Sequence, residues 1–476
     1  MTSDYGKPNI LLIFVDSARA DHLSCYGYAR PTSPNIDRVA SEGCLFETCI
    51  TAAPFSPASY ASIISNQYPH QHGVNGDTVR AWPQEMVRLP QKLRSQGYFT
   101  FCVSNNSFVS RAMNGHLGFD EFVDPRTPWF LRVQNRIMSQ CRKLGGAALA
   151  DRLESRRLLA KDKGNSRDAV RTSQSILARN HRPFFGMVIL MDPHALYDPS
   201  RLDFARDRRG ARRFLRTING RQMWARVMAG RTSLTREYTR LALDIYDAEL
   251  LHADRCLGEL VDFLDRTHQL EHTIVAVTSD HGEAFGEHGV WGHGFSLHEC
   301  LTRVPLVLRH PGFWPSGSRF PGLVQLHDLH EMCLSVAESG DPRPDQYPHC
   351  LTQAANPDWS ARHVTFSEMP VQSKTIRFMR ELNPAFEPGV WSYHSWAVRS
   401  ADWRYIQHDN GTQELYDLRA DPGEACSLHS ENRDVVATYS DMLARHRMSG
   451  ATKAYEADES QERLILDRLR ALGYVE

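Results

Sequence analysis

A chain of 476 residues, 41% apolar and 23% charged, is long enough for one large catalytic domain with a smaller appended piece, and its composition is that of an ordinary globular protein. The formal net charge of −1 excludes a whole-molecule electrostatic case for nucleic acid or membranes, so such a partner would need a local patch. No apolar run approaches the roughly 20 residues that cross a bilayer. The opening MTSDYGKPNILLIFVDS has no basic-then-apolar leader pattern, and the ten cysteines form neither a CxxC pair nor a zinc spacing. A cytoplasmic location with reduced thiols is the expectation.

In chain order, NILLIFVD (9–16) is a continuous apolar run ending in Asp, which predicts a central strand buried on both faces. NIDRVASEG (35–43) and LPQKLRSQG (89–97) read as short helices that close on a glycine cap. FTFCVS (99–104), PFFGMVILMD (183–192), HTIVAVTSD (272–280) and VPLVLR (304–309) repeat the strand pattern, and YDAELLHADRCLGELVDFLDRT (246–267) is a long helix. Strands alternating with helices predict a mostly parallel sheet covered on both faces, with ligands at the carboxyl ends of the strands. Asp16, Asp192 and Asp280 occupy such ends.

Two stretches, 125–180 and 201–240, break this rhythm as insertions. The second runs from Arg201 to Arg240 with many arginines and no lysine. Phe214, Leu215 and Trp224 among those arginines suit an amphipathic lid or a partner surface. Past about 385 the texture changes: HSWAVRSADWRYIQHDNGTQELYDL alternates as an antiparallel hairpin around DNG, a type I′ turn signal. SQERLILDRLRALGYVE then reads as a closing amphipathic helix. We divide the chain into a catalytic domain, 1–385, and a C-terminal subdomain, 386–476.

TSDHGEAFGEHGVWGHG (278–294) places Asp280 and His281 side by side where a strand turns sharply at a glycine. A carboxylate beside an imidazole suits a divalent cation, and Asp16 supplies a further carboxylate from another strand end. One such dipeptide alone would more simply be a helix cap and a core histidine. The repeated occurrence of acids and histidines at strand ends favours the metal. His288 reads as a surface group and Cys25 as a core thiol.

NILLIFVDSARADHLSCYGYARPTSPNIDRVASEGCLFE, SNQYPHQHGV, MDPHALYDP, VTSDHGEAFGEHGVWGHG, RVPLVLR and ELYDLRADPGE together resemble, in order, the blocks of the sulfatase family of the alkaline phosphatase superfamily. The resemblance implies the α/β fold of that superfamily, a large mostly parallel sheet covered by helices with a small C-terminal α+β subdomain. It implies that Asp16, Asp280 and His281 bind a metal, that Ser56 is the nucleophile and touches the metal, and that His194 and His293 contact substrate or leaving group. His72, Asn75 and Asp192 fall where members have pocket residues. A second ion held by Asp192, His194 and His293 stays open, behind a single ion. Large members of the family often associate, but no interface can be read from this chain.

The chain departs from the family pattern at four places. Ser17 stands where a second acid is common, Asp280–His281 resembles the pair of phosphonate monoester hydrolases, and His293 replaces a common lysine. An imidazole in place of a carboxylate favours manganese or zinc over calcium or magnesium. Finally, Ser56-Pro57-Ala58-Ser59-Tyr60 fills the site of the Cys/Ser-x-Pro/Ala-x-Arg motif that matures to formylglycine, and Tyr60 replaces its arginine. An unmodified serine can attack phosphorus and be released by water, whereas a sulfoseryl enzyme would stall. The expectation is therefore a metal-dependent hydrolase of small anionic phosphate mono- or diesters or phosphonate esters. The alternatives are a sulfatase with formylglycine at 56 and an inactive binding protein.

Overall fold

The structure is a computed structural model that describes residues 7–74, 81–124, 166–195, 197–219, 223–339, 346–356, 359 and 361–450. Asn75, most of the 125–180 insertion and the expected closing helix lie outside the described residues.

Strands β1 (Asn9–Val15), β2 (Cys44–Ile50), β3 (Phe99–Ser104), β4 (Glu121–Val123), β5 (Phe184–Leu190), β6 (Thr273–Thr278), β9 (Arg303–Arg309) and β10 (Ser318–Gln325) form one eight-stranded sheet, with β7 (Ala284–Phe285) and β8 (Trp291–Gly292) a separate two-stranded ribbon. The sheet order is β10-β2-β9-β6-β1-β5-β3-β4. All its pairings are parallel except those of β9, which runs against both β2 and β6.

Why β1 is central follows from its side chains. Successive residues of a strand face opposite ways. Ile10, Leu12 and Phe14 enter the core beneath helices Ser56–Ser65, Leu89–Ser95 and Asp328–Ser339. Leu11, Ile13 and Val15 enter the opposite core, beneath helices Ser166–Arg179 and Arg236–Arg266. Each such buried side chain contributes about 1.5–3 kcal/mol by leaving water, so a run apolar at every position is stable only between two layers. The long helix starts ten residues earlier than the apolar pattern predicts, at a Thr235 cap whose hydroxyl accepts from the Tyr238 amide at 3.3 Å.

Gly43 and the DNG turn differ from expectation. Gly97 does end its helix in the left-handed region, at φ 91°, but Gly43 does not. A Cβ on Gly43 would lie 2.2 Å from the Leu308 carbonyl, so that glycine is required by close approach to β9. The expected type I′ turn is also absent: in the 408–411 turn, closed by the Gly411 amide on the His408 carbonyl at 2.9 Å, only Gly411 has positive φ. That is a type I turn followed by a left-handed glycine.

The small sheet is antiparallel, in the order β11 (Thr365–Met369), β12 (Ser395–Arg399), β13 (Trp403–His408), β14 (Gln413–Asp417). It therefore begins before residue 386. The Glu368 amide donates to the Ala52 carbonyl at 2.9 Å and the Ser367 hydroxyl to the Thr51 carbonyl at 2.6 Å, docking β11 on the loop that leads to Ser56. Helix Arg433–Met448 covers the sheet through Tyr439 and Leu443.

The arginine-rich insertion folds as helices Arg208–Ile218 and Met223–Met228. Ala211, Phe214 and Leu215 are buried while Arg209, Arg212 and Arg213 are exposed, the expected amphipathic pattern. Among the described residues no helix is long and apolar enough to cross a membrane.

Candidate active site

Four chain crossings meet at the carboxyl end of the central strands. Asp16 follows β1, its amide continuing the ladder to the Leu190 carbonyl at 2.9 Å. Ser17 next to it has φ 60°, a left-handed conformation that costs a non-glycine residue about 1 kcal/mol. Hydrogen bonds offset this: Ser17 Oγ donates to Asp16 Oδ1 at 3.1 Å, its amide to Asp280 Oδ1 at 3.4 Å, and its carbonyl accepts from Tyr246 at 2.8 Å. Where the family commonly has a second acid, this chain thus has a donor that steadies the first.

Ser56 is the first residue of a buried helix, Ser56–Ser65, with Pro57 in the first turn, where a missing N–H costs nothing. Ser59 pins that turn by donating to the Asp280 carbonyl at 2.8 Å. Ser56 Oγ lies 3.2 Å from His281 Nε2 and accepts from Asn106 Nδ2 at 3.0 Å. The same amide nitrogen donates to Asp16 Oδ2 at 2.6 Å, and the Phe108 amide holds Asn106 Oδ1 at 2.8 Å, so the NH2 must face the site. Asn106 was missed in the sequence. Its signal was position, just past the end of β3, where the strand-end rule was applied only to acids.

His281 Nδ1 is 2.8 Å from the Gly282 carbonyl, which places its proton there and leaves a lone pair on Nε2. That lone pair faces Asp280 Oδ2 at 3.4 Å, and Asp280 Oδ2 is buried with no hydrogen-bond partner among the described residues. Burial, reinforced by the Asp280 charge, pushes Asp16 up to about 7; burial pushes Asp280 up to about 6; burial and the neighbouring His293 bring His281 down to about 4. All three shifts come first from crowding ligand-type groups out of water. Ligand atoms of Asp16, Asp280 and His281 lie within 4.8 Å of one another, and they fit a divalent ion.

His293 stands above this set, its ring 4.3 Å from that of His281 and 5.1 Å from that of His194. Burial works against its cation, but the carboxylate of Glu283, 3.3 Å from Nδ1, prevails and raises its pKa. Glu283 was also missed in the sequence. His194 Nδ1 meets the Ala195 carbonyl.

The remaining sequence candidates sit differently. The buried Asp192 carboxylate is paired with Arg201 of the insertion, which also holds Glu249. His72 bonds through Nε2 to Ser62 at 3.0 Å and accepts through Nδ1 from the Val74 amide at 3.1 Å, so both nitrogens tie the segment after helix Ser56–Ser65 in place. Tyr60 packs in the core with its ring 5.1 Å from Phe14, and its hydroxyl has no hydrogen-bond partner among the described residues.

A family model described as Sulfatase matches residues 8–338, most of the chain and every residue of this cluster. The chain belongs to the sulfatase family. Members of this family generally use a divalent metal, which agrees with the donor set found here. An N-acetylglucosamine-6-O-sulfatase of Bacteroides thetaiotaomicron is 23% identical over 482 residues, covering 88% of this chain and 82% of the relative. A choline-sulfatase of Rhizobium meliloti is 23% identical over 505 residues, covering 98% and 93%. The crystal structure of the phosphonate monoester hydrolase of Agrobacterium radiobacter superposes with a TM-score of 0.66 at 18% identity, covering 93% of this chain and 96% of that one. At that identity the structural likeness is one of fold.

Proposed function

We propose that this sulfatase-family hydrolase cleaves phosphate or phosphonate esters with unmodified Ser56 as nucleophile. The observation that carries the reading is Tyr60, a neutral ring sealed in the core where the formylglycine motif needs arginine. Asp16, Asp280 and His281 would hold the metal, and two carboxylates with one imidazole suit manganese or zinc ahead of calcium or magnesium. When bound, the cation supplies charge that lowers the pKa of the Ser56 hydroxyl and neutralises the ester's oxygens.

The chain's own groups do the rest. Asn106 directs a lone pair of Ser56 Oγ outward by occupying another with its N–H. Helix Ser56–Ser65 turns its positive end toward the developing negative charge. Ser56 Oγ gives its proton to solvent and bonds to phosphorus as the bond to the leaving oxygen breaks. That oxygen takes a proton from His293, whose pKa the Glu283 carboxylate raises, or from His194 beside it, and the imidazole regains its proton from solvent. Water then attacks the phosphoseryl group, and the serine oxygen leaves with a proton. Trp224 of the insertion packs 3.8 Å from where a Cβ on Gly292 would be, so the insertion walls the leaving-group side beside His293.

A second reading is favoured by the relatives' names: a sulfatase with formylglycine at 56. Peptide mass decides between them, since oxidation of the serine alcohol to the aldehyde removes about 2 Da. An unmodified Ser56 supports the phosphoester reading, and a fully converted one sinks it.

A further inference from the structure

His70, Glu368 and His446 form a second cluster of ligand-type groups, and the active site does not use them. They come from three separate parts of the chain. His70 lies on the segment leaving the nucleophile helix, Glu368 on β11, and His446 near the end of helix Arg433–Met448. Glu368 is fully buried, and its Oε1 lies 2.6 Å from His70 Nδ1 and 3.1 Å from His446 Nε2. Its Oε2 accepts from the His70 amide at 2.8 Å.

The orientation of His70 is the informative detail. Its Nε2 lies 2.9 Å from the Ser449 carbonyl, a bond that needs the proton on Nε2. Gln71 Nε2 holds the same carbonyl at 3.0 Å, so the acceptor is fixed from two sides. With its proton on Nε2, a neutral His70 presents the lone pair of Nδ1 to the Glu368 carboxylate. Two electron-rich atoms at 2.6 Å need a cation between them, either a second ring proton or a metal. A metal-ligating histidine usually donates its other ring N–H to a backbone carbonyl, carboxylate or water, as His70 Nε2 does to the Ser449 carbonyl.

We propose that His70, Glu368 and His446 form a structural zinc site that staples helix Arg433–Met448 to the segment following the nucleophile helix. The ligand atoms lie within 4.8 Å of one another. Two ligands of one tetrahedral zinc, each about 2.0–2.1 Å from it, stand about 3.3 Å apart. The pair Glu368 Oε1 and His446 Nε2 is close to that at 3.1 Å, and the His70 contact opens by several tenths of an ångström. His446 is clamped for the role: its ring stacks on Phe366 at 3.9 Å and meets Tyr68 edge-on at 4.4 Å. Two imidazoles and a carboxylate are a set that zinc accepts, with the fourth position open to a small ligand.

The test counts zinc on the full chain. Chelator-stripped wild type, Asp16→Asn/Asp280→Asn and His446→Gln are titrated with zinc against a chromogenic competitor. The expected result is two tight equivalents for wild type and one for each variant. Cobalt(II) loaded into Asp16→Asn/Asp280→Asn then shows the intense visible bands of a tetrahedral site. That arm leaves the cluster intact, so it decides even where His446→Gln fails to fold. One equivalent in wild type and none in Asp16→Asn/Asp280→Asn would overturn the proposal and leave a proton-shared His–Glu–His junction.

Discussion

One nitrogen of Asn106 bridges Ser56 and Asp16, donating to Ser56 Oγ at 3.0 Å and to Asp16 Oδ2 at 2.6 Å. The amide cannot flip without facing its oxygen toward both acceptors, and the Phe108 amide holds it the right way round. Asn106 therefore fixes the serine rotamer before any substrate arrives.

Asn106→Ala frees that rotamer and also removes a donor from the Asp16 carboxylate. Misorientation of a nucleophile costs about 10–100-fold in rate. We expect kcat to fall by that factor with KM nearly constant, read from initial rates over a substrate series. An unchanged kcat would mean the bridge is only structural.

The raised acids make metal affinity and stability depend on pH in opposite ways. Asp16 at about 7 and Asp280 at about 6 hold protons in the metal-free native state that the unfolded chain, with ordinary carboxylates, has released. The native state binds more protons between about pH 4 and 7, so metal-free stability falls as pH rises through that window. The two acids together contribute on the order of 7 kcal/mol, and His281, brought down to about 4, works the other way between about pH 4 and 6.5 and offsets part of it. Metal competes for the same carboxylates, so its apparent affinity climbs over the same window. Urea midpoints of metal-free wild type at pH 5 and 8, beside Asp16→Asn, test the sign. The wild-type midpoint drops toward pH 8, and the variant's drops less.

Glu283→Gln removes the carboxylate that raises the His293 pKa. A general acid works while it holds its proton, so activity is lost as pH rises through its pKa. The alkaline limb of the kcat profile shifts to lower pH in the variant, with the acid limb unmoved. A profile displaced as a whole, or not at all, would remove His293 from the proton-donor role.

Tyr60→Phe deletes a buried hydroxyl that has no hydrogen-bond partner among the described residues. Removing such a group relieves a desolvation penalty of about 1–3 kcal/mol, offset in part by lost contacts. The variant is expected to match or exceed wild-type stability in urea, with turnover retained. A loss of turnover would give the phenol a part in the site.

The sequence exposed the parts of this fold that obey one strong rule. β1, β3, β5, β6 and β9 were visible because burial on both faces demands an unbroken apolar run. β2 and β10 were not: CLFETCI carries Glu47 and Thr48 mid-strand, and SRFPGLVQ contains Pro321 on an edge strand with polar or exposed positions in its first half. Asp16 and Asp280 were readable for the same reason as the strands, since each ends an apolar run. Asn106 and Glu283 were not, because an amide bridge and a carboxylate behind a histidine have no spacing of their own. Only the folded chain brings Asn106 to Asp16, 90 positions away. Likewise Arg201 meets Asp192 and Glu249 through tertiary packing, which the run of arginines concealed.

The most direct test of the central claim is parallel hydrolysis of an aryl sulfate, an aryl phosphate monoester, a diester and a phosphonate ester by manganese- or zinc-loaded protein, with Ser56→Ala as control. Phosphoester or phosphonate turnover that disappears in Ser56→Ala, with Ser56 at its unmodified mass, is the expected result. Sulfate turnover that disappears instead, from protein carrying an aldehyde at 56, would contradict it.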